Sequence, residues 1–300
     1  MSKVRVLVPT YERPYFLIKC LSSILHHQTF TDLELFIVDD QSSEETLNIL
    51  KSFAEADRRV TLTVSKVKVG GPTGAIRYAM MTCKGEVFTW LGSDDTYSPL
   101  YLATMVSFLE EHQDVDYAYC DFVTIDEMGD PIRKEFGRYF PCDEALFLKS
   151  VVLNGHNPIP MNGMWRTSFL QQLKDPWIQY KENVWSCDVI NGLNHFQEGL
   201  SAKHLGQQLI NYRVHRGQGS KNITSKVKNE LKVYDFIFEE YKKGKLLEVL
   251  GCAEPLRDVH LEALNRMLYK YTAQTLFNPK QAQEVTEIIT DKMKGFTCEY

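Results

Sequence analysis

The feature that most constrains this fold is an alternation of strand-like and helix-like segments along the first part of the chain. Short apolar, β-branched runs, typical of buried strands, recur there. The five predicted strands are "VRVLVP" (4–9), "LELFIVDD" (33–40), "VTLTVS" (60–65), "EVFTWLG" (86–92) and "VDYAYCDFVTID" (115–126). Such alternation predicts an α/β fold with a mostly parallel central sheet and helices on both faces.

Segments with apolar residues at helical spacing lie between these strands. They cover residues 15–28, 42–56, 72–85 and 99–112. The second opens with Ser42 or Ser43 as the predicted N-cap, followed by acidic residues as in a capping box.

The chain becomes less regular after residue 140. "NGHNPIPMNGMW" (154–165) has too many Gly, Pro and Asn residues for the interior of an element, so we expect a loop that lines a cleft. Residues 126–131 are predicted to form a turn, with "IRKEF" (132–136) as the return of a hairpin. We predict a helix over 184–196, a strand that runs into a Gly-rich loop over 204–220, and amphipathic helices from 224 on.

Composition excludes several classes of protein. The net charge of -5 gives no electrostatic footprint for nucleic acid. The seven cysteines lack the spacing of a zinc site, and without a signal peptide they predict a reducing cytoplasm. No apolar stretch approaches the about 18 residues that a membrane span needs, so we expect any work at a membrane to be done from its inner surface.

Polar residues stand at the ends of three predicted strands, where ligands of open α/β sheets bind. In "GSDD" (92–95), two adjacent carboxylates follow a buried strand, and such oxygen ligands suit Mg²⁺ or Mn²⁺ together with a substrate diphosphate. The alternative is that Asp94 or Asp95 caps the helix that follows.

The other two strand ends carry the same ambiguity. In "VDDQS" (38–42), Asp39 and Asp40 either accept hydrogen bonds from a base or ribose, or cap the second helix. In "PTYERP" (9–14), Thr10 and Tyr11 contact a base, or the segment is a turn with Pro14 at the first helical position. "GGPTGAIR" (70–77) lacks the P-loop and dinucleotide patterns, and Arg77 either reaches a phosphate or is solvated.

Two further residues lie beyond the alternating part. Asp188 belongs to a helical segment with apolar neighbours and is either functional or on an exposed face. His215, between two arginines, is either a ligand or an ordinary loop residue.

The three strand-end motifs in this order resemble the family 2 glycosyltransferases, which have the GT-A fold. The resemblance is strong over residues 3–125, moderate to about 215 and absent beyond. It implies a GT-A domain over 1–222, with a nucleotide-binding half (1–125) and an acceptor-binding half (126–222). Residues 223–300 would be a helical extension, which could mediate homo-oligomerisation.

The resemblance also implies roles for individual residues. Pro9, Thr10, Tyr11 and Glu12 would line the nucleotide pocket, Asp40 would contact the base with support from Asp39, Arg77 would approach the nucleotide, and Asp94 would contact ribose. Asp95 would ligate the metal, His215 would contact metal or diphosphate, and Asp188 would be the catalytic base, with Glu182 and Asp175 as rivals. The family's usual Asp-x-Asp reads Ser93-Asp94-Asp95 here, so the first carboxylate is missing.

The implied function is an inverting sugar transfer that depends on Mn²⁺ or Mg²⁺. A nucleotide sugar, expected to be a UDP-sugar, would donate to a hydroxyl of a saccharide or glycoconjugate acceptor in polysaccharide or glycoconjugate biosynthesis. One alternative, a sugar nucleotidyltransferase, is disfavoured because "PTYERP" contains no glycine. A catalytically silent nucleotide-sugar-binding protein stays open, and a nicotinamide dehydrogenase is disfavoured by the missing GxGxxG.

Overall fold

A computed structural model describes residues 2–66, 71–132, 139–155, 157–178, 180, 187–218, 222–240, 246–250 and 256–298. The chain divides into two compact units. The first comprises Met1–Cys142, Ile159–Ile178 and His195–His215, and the second comprises Asp143–Pro158, Gln179–Asn194 and Arg216–Tyr300. The units do not follow the boundary expected at residue 222, because two segments from the middle of the chain group with the C-terminal helices. That domain boundary stays a prediction.

The first unit is built on an eight-stranded sheet with the strand order β3-β2-β1-β4-β7-β6-β8-β5. The pairs of β1 with β2, β1 with β4, β2 with β3 and β6 with β8 are parallel, whereas β7 pairs antiparallel with β4 and β6, and β5 with β8. The strands are β1 (Val4–Thr10), β2 (Leu33–Asp39), β3 (Val60–Val64), β4 (Val87–Trp90), β5 (Thr96–Tyr97), β6 (Tyr117–Ile125), β7 (Met164–Arg166) and β8 (Ala202–Arg213).

Four of the five described helices that begin in this unit lie where helices were predicted. The five are α1 (Pro14–Leu25), α2 (Glu44–Ala56), α3 (Pro72–Met81), α4 (Tyr101–Glu111) and α6 (Thr167–Gln172), and the short helix α6 was not predicted. The core cluster combines apolar side chains of the sheet with those of α1 and α4, such as Leu21 and Met105. Every residue of β1 is buried, and its residues are apolar except Arg5 and Thr10, as expected for a parallel strand that is covered on both faces.

The carboxyl ends of β1, β2 and β4 meet at one edge of the sheet. Thr10 pairs with Asp39, and the amide of Asp40 donates to the carbonyl of Thr10 at 2.9 Å. On the other side of β1, Leu7 pairs with Trp90. The three polar strand ends are therefore neighbours, as the parallel order predicts.

The region expected to be a loop contains a strand. Within 154–165 the structure forms the start of β7, which is inserted between β4 and β6. A Cβ atom on Gly163 would lie 2.3 Å from the carbonyl oxygen of Ala118, so this position requires glycine. The predicted turn at 126–131 closes with a bridge between Ile125 and Pro131, and residues 133–136 of the predicted hairpin lie outside the described residues.

The second unit is helical where it is described. Its helices are α5 (Glu144–Asn154), the first part of α7 (Cys187–Gln197), α8 (Ile223–Asp235), α9 (Leu246–Leu250), α10 (Leu256–Gln274) and α11 (Pro279–Cys298), with a π-helical turn over Phe236–Glu240 after α8. Glu230 links α8 to α10 by accepting hydrogen bonds from Lys270 and Tyr271. Within the described residues, no helix is long and apolar enough to cross a membrane.

Candidate active site

Asp94 and Asp95 lie just beyond β4 and do not cap a helix. The N-cap of α4 is Leu100, and β5 separates the aspartates from that helix. The alternative interpretation as helix caps is therefore wrong for this pair.

The two carboxylates converge beside Gly92. A Cβ atom on Gly92 would lie 2.9 Å from Oδ1 of Asp94 and 3.1 Å from Oδ2 of Asp95. Oδ1 of Asp94 and Oδ2 of Asp95 thus both lie close to Gly92, where a side chain would displace them. The other oxygen of each carboxylate is held by protein groups: Oδ1 of Asp95 accepts from the amide of Arg213 at 2.8 Å, and Oδ2 of Asp94 accepts from His215.

Asp95 is in an environment that opposes its negative charge. Burial, and then the charge of Asp94, raise its pKa well above the usual range of a carboxyl group. The amide of Arg213 and the charges of Arg213 and Arg13 oppose this effect. A carboxylate in such a place is stabilised when a cation binds beside it.

Asp94 is held from two elements distant in sequence. Its Oδ2 accepts hydrogen bonds from the guanidinium of Arg13 and from Nε2 of His215, the latter at 3.0 Å. The ring of His215 lies 4.7 Å from that of Phe16 in α1, which fixes its orientation. His215 therefore lies in direct contact with Asp94, and its role as a metal or diphosphate contact stays a prediction.

Sequence reasoning missed Arg213 and Arg13. The buried guanidinium of Arg213 donates to the carbonyl oxygen of Asp94 at 2.7 Å and to those of Asp126 and Glu127. Because side chains two apart on a strand share a face, the pattern "RVH" at the end of β8 could have paired Arg213 with His215. Arg13 carried no comparable local signal.

The ends of β1 and β2 form a second group of polar residues. Oδ2 of Asp40 accepts from the amide of Gly71 at 3.2 Å, which connects β2 to the start of α3. Asp39 is fully buried and accepts from the amide and the hydroxyl of Ser42, so it shapes the turn before α2. The hydroxyl oxygen of Thr10 is buried and, within the described part of the chain, makes no hydrogen bond. It is the kind of group that a ligand would satisfy.

Glu12 caps a neighbouring helix. Its carboxylate accepts from the amide and hydroxyl of Ser43 and from the hydroxyl of Thr46 at the start of α2. Glu12 and Arg13 both have left-handed backbone conformations, with φ of 58° and 66°. This turn leaves Tyr11 exposed, whereas Pro9 is buried within β1.

Arg77 is part of an ion pair. Its guanidinium makes a two-pronged contact with Asp175, at 2.9 to 3.1 Å. The side chain of Arg77 remains partly exposed. Its predicted approach to the nucleotide, and the weaker candidacy of Asp175 as a base, stay predictions.

Asp188 lies in the first turn of α7, in the second unit. Its side chain is half-buried, and burial raises its pKa to about 6. The rival Glu182 lies outside the described residues.

The oxygen atoms of Asp94 and Asp95 are of the kind that Mg²⁺ and Mn²⁺ prefer as ligands. Among the described residues, no three His, Cys, Asp or Glu side chains form a ready metal cluster. Mg²⁺ and Mn²⁺ commonly use only one or two carboxylates and take further ligands from water and substrate phosphates. Asp95 and the neighbouring oxygen of Asp94 fit such a cation for two reasons. Both supply oxygen ligands, and a bound cation would offset the unfavourable negative charge of the buried Asp95.

Comparison with known proteins identifies the relatives of this chain. The family model described as "Glycosyl transferase family 2" matches residues 5–173, more than half of the chain. A Campylobacter jejuni protein named GalNAc(5)-diNAcBac-PP-undecaprenol beta-1,3-glucosyltransferase is 30% identical over 154 residues, covering 51% of this chain and 48% of the relative. An uncharacterized glycosyltransferase of Haemophilus influenzae is 23% identical over 283 residues, covering 88% of this chain and 83% of the relative.

The chain spans less than half the length of the first curated relatives that it matches, for example 36% of an uncharacterized glycosyltransferase of Rickettsia felis. Two solved structures have a similar fold. One is residues 1–349 of S. aureus TarS in complex with UDP-GlcNAc, with a TM-score of 0.63, 15% identity and coverage of 98% of this chain and 92% of that chain. The other is the mannosyltransferase PcManGT from Pyrobaculum calidifontis with GDP-Man and Mn²⁺, with a TM-score of 0.58, 15% identity and coverage of 96% and 84%. They confirm the predicted GT-A fold.

Proposed function

Since this chain belongs to glycosyl transferase family 2, we propose that it transfers a sugar from a nucleotide diphosphate sugar to an acceptor hydroxyl. The observation that carries the proposal is the convergence of Asp94 and Asp95 beside Gly92, held by Arg13, Arg213 and His215 at the edge where the parallel strands end.

Asp94 and Asp95 would bind the diphosphate part of the donor through a metal ion. Asp95, with Asp94 beside it, would hold Mn²⁺ or Mg²⁺ together with the donor diphosphate. A divalent cation at such a site acts as a Lewis acid that stabilises the negative charge of the leaving diphosphate. Arg213 fixes the position of both aspartates through its amide and guanidinium, and His215 fixes the carboxylate of Asp94.

The base of the nucleotide lies at the ends of β1 and β2 in this proposal. The buried hydroxyl of Thr10 offers an unsatisfied hydrogen-bonding group, and Asp40 lies on the neighbouring strand end. This pair resembles a set that reads uracil, which favours a UDP-sugar donor. The TarS likeness is consistent with that choice, whereas the PcManGT structure carries a guanosine donor.

The acceptor hydroxyl must lose its proton as it attacks the anomeric carbon. We propose that Asp188 accepts this proton, because its raised pKa of about 6 suits a general base near neutral pH. Attack opposite the leaving diphosphate inverts the configuration of the anomeric carbon. The name of the Campylobacter relative includes an undecaprenol-linked saccharide. For this chain we propose a saccharide or glycoconjugate acceptor, which the protein would bind at the cytoplasmic surface of a membrane.

A hydrolysis and transfer assay tests this proposal. The protein is incubated with UDP-sugars and Mn²⁺, and the release of UDP is followed with and without a mixture of saccharide acceptors. We expect UDP release that stops in excess chelator and in the Asp95→Ala variant. Tight binding of a UDP-sugar without release under any condition would favour the catalytically silent binding protein instead.

A further inference from the structure

A cavity of about 330 Å³ lies in the first unit, apart from the residues assigned above. Strands β6 and β8 and the loop before β7 supply its walls. It is lined by Cys120, Phe122, Tyr139, Asn162, Ile210 and Tyr212. Protein interiors rarely leave gaps much larger than a water molecule, so a space of this size is not a simple packing fault.

Aromatic rings form much of the cavity wall. The ring of Phe122 lies 5.6 Å from that of Tyr139 and 5.7 Å from that of Tyr212, at interplanar angles of 50° and 67°. All three side chains are half-buried, so solvent reaches the cavity. Apolar ring surface left in contact with water favours a ligand that covers it.

Asn162 supplies a polar group to this wall. Its backbone carbonyl accepts from the hydroxyl of Tyr101 at 3.3 Å, which holds the loop in place. Its side-chain amide, half-buried, makes no hydrogen bond to any residue in the described ranges. The amide therefore retains two donor hydrogens and an acceptor oxygen for a ligand.

Two short stretches of chain connect the cavity wall to the candidate active site. The indole nitrogen of Trp90 donates to the carbonyl of Met161 at 2.8 Å, which ties the Asn162 loop to the last residue of β4. Asp94 follows Trp90 by four residues, a span of at most about 14 Å. In the second stretch, the backbone of β8 runs from Tyr212 in the cavity wall to Arg213, whose amide donates to Asp95.

We propose that this cavity is a subsite for one pyranose ring of the acceptor, a proposal that rests on the transferase function above. A pyranose has apolar C–H faces that pack on aromatic rings and hydroxyl edges that bond to an amide. The volume is at the lower end of the range of small-molecule sites, which suits a single ring.

Two other occupants fit the cavity less well. A lipid chain would leave the amide of Asn162 without a partner. The diphosphate of the donor calls for cations, and none of the six lining residues is charged. In the proposed function the donor diphosphate is held on the side of Asp94 and Asp95, so a sugar ring bound in this uncharged, aromatic cavity would belong to the acceptor.

The test uses the full chain with saturating UDP and Mn²⁺. Methyl glycosides of glucose, galactose and N-acetylglucosamine are titrated as probes, and their binding is followed by saturation-transfer NMR. The variants are Asn162→Ala and Tyr212→Leu. Tyr269→Leu, at an exposed tyrosine of the second unit, is the matched control. Affinity for UDP, measured by calorimetry, reports separately on the donor site and on folding.

We expect at least one glycoside to bind the wild-type chain and the control equally well. Asn162→Ala and Tyr212→Leu should each weaken that binding by about three- to tenfold, the effect of one lost hydrogen bond or ring contact, while UDP affinity stays unchanged. Glycoside binding that is absent from the wild type, or unaltered in both variants, overturns the subsite. A parallel loss of UDP affinity in these two variants overturns the assignment of the cavity to the acceptor. If the transferase function itself is wrong, the wild type will fail to bind UDP with Mn²⁺, whatever the cavity variants do.

Discussion

Asp188 differs from Asp94 and Asp95 in what surrounds it. Burial raises the pKa of both Asp95 and Asp188, but the charges of Arg213 and Arg13 oppose that rise at Asp95, whereas burial is the one cause of the shift to about 6 at Asp188. A carboxylate that is ionised at neutral pH, yet retains some basicity, is suited to accept a proton from a hydroxyl. The predictions for this residue follow from that difference.

Replacement of Asp188 by Asn should lower turnover by about 10² to 10⁴, because the amide keeps the shape of the side chain but cannot accept the proton. Donor affinity should stay near the wild-type value. Steady-state kinetics measure both quantities. Glu182→Gln is the comparison variant, and a loss of turnover in Glu182→Gln with normal turnover in Asp188→Asn would assign the base to Glu182.

The pH dependence of kcat/KM should reflect the same group. As pH falls below about 6, Asp188 becomes protonated, and kcat/KM should decrease by about tenfold per pH unit, with a plateau above pH 7. The measurement is kcat/KM from pH 5 to 8 for the wild type and for Asp188→Asn. A wild-type profile that is flat between pH 5 and 6.5 would contradict the assignment.

The contribution of Asp188 to the free energy of unfolding should decrease as pH rises, whereas kcat/KM should increase. The folded-state pKa of Asp188 lies above its unfolded value of about 3.9, so the folded state binds the proton more tightly, and stability from this group is lost as pH rises from about 4 to 6. Two pKa units correspond to about 3 kcal/mol for full burial, and the partial exposure reduces this to about 1 to 2 kcal/mol. Urea denaturation at pH 7 should show Asp188→Asn to be more stable than wild type by that amount. Equal or lower stability would indicate that its carboxylate is satisfied in the fold.

Gly92 leaves room for the close approach of Asp94 and Asp95. A methyl group there would meet Asp94 Oδ1 and Asp95 Oδ2 at 2.9 and 3.1 Å, so Gly92→Ala should displace both carboxylates. We expect Mn²⁺-dependent UDP affinity to fall by about tenfold or more, since charge-assisted contacts depend on geometry. Calorimetry measures the effect. Gly206→Ala is the matched control because its Cβ would meet no atom closer than 3.9 Å. If the two variants bind UDP with equal affinity in Mn²⁺, Asp94 and Asp95 do not bind the donor.

At the scale of elements, the start of α2 depends on a residue from another strand end. Glu12, beyond β1, accepts three hydrogen bonds from Ser43 and Thr46. Glu12→Ala should therefore destabilise the fold by about 1 to 2 kcal/mol, as loss of a helix cap does. Chemical denaturation measures this, with exposed Glu44→Ala in the same helix as the control. If stability is unchanged while UDP affinity collapses, Glu12 is a nucleotide contact and not a cap.

The elements that sequence predicted are those with a repeated apolar pattern. Strands β1, β2 and β4 are mostly buried and rich in apolar and β-branched residues, and this composition makes them recognisable from sequence. Strands β5 and β7 have two and three residues, too few to show any period, and β7 is created by its pairing with β4 and β6. Antiparallel insertion of β7 makes the sheet mixed, which local periodicity cannot predict.

The candidate site was predictable to the extent that strand ends meet in a parallel sheet. Asp40, Asp94 and Asp95 follow from that rule together with the resemblance of their motifs. Arg13 and Arg213 hold Asp94 from positions 81 and 119 residues away, and no local pattern encodes such distant pairs. The raised pKa of Asp188 likewise depends on burial, which the sequence of one helix does not determine.

At the scale of the whole molecule, the central claim is that the sheet edge binds a nucleotide diphosphate through a metal at Asp95. The most direct test is calorimetry of UDP and GDP with the full chain, in Mn²⁺ and in excess chelator, for the wild type and for Asp95→Ala. We predict that UDP binds the wild type in Mn²⁺ more tightly than GDP does. Chelator or Asp95→Ala should weaken UDP binding by about tenfold or more, because the diphosphate then lacks its counter-charge. UDP affinity that is the same in Mn²⁺, in chelator and in Asp95→Ala would contradict the claim.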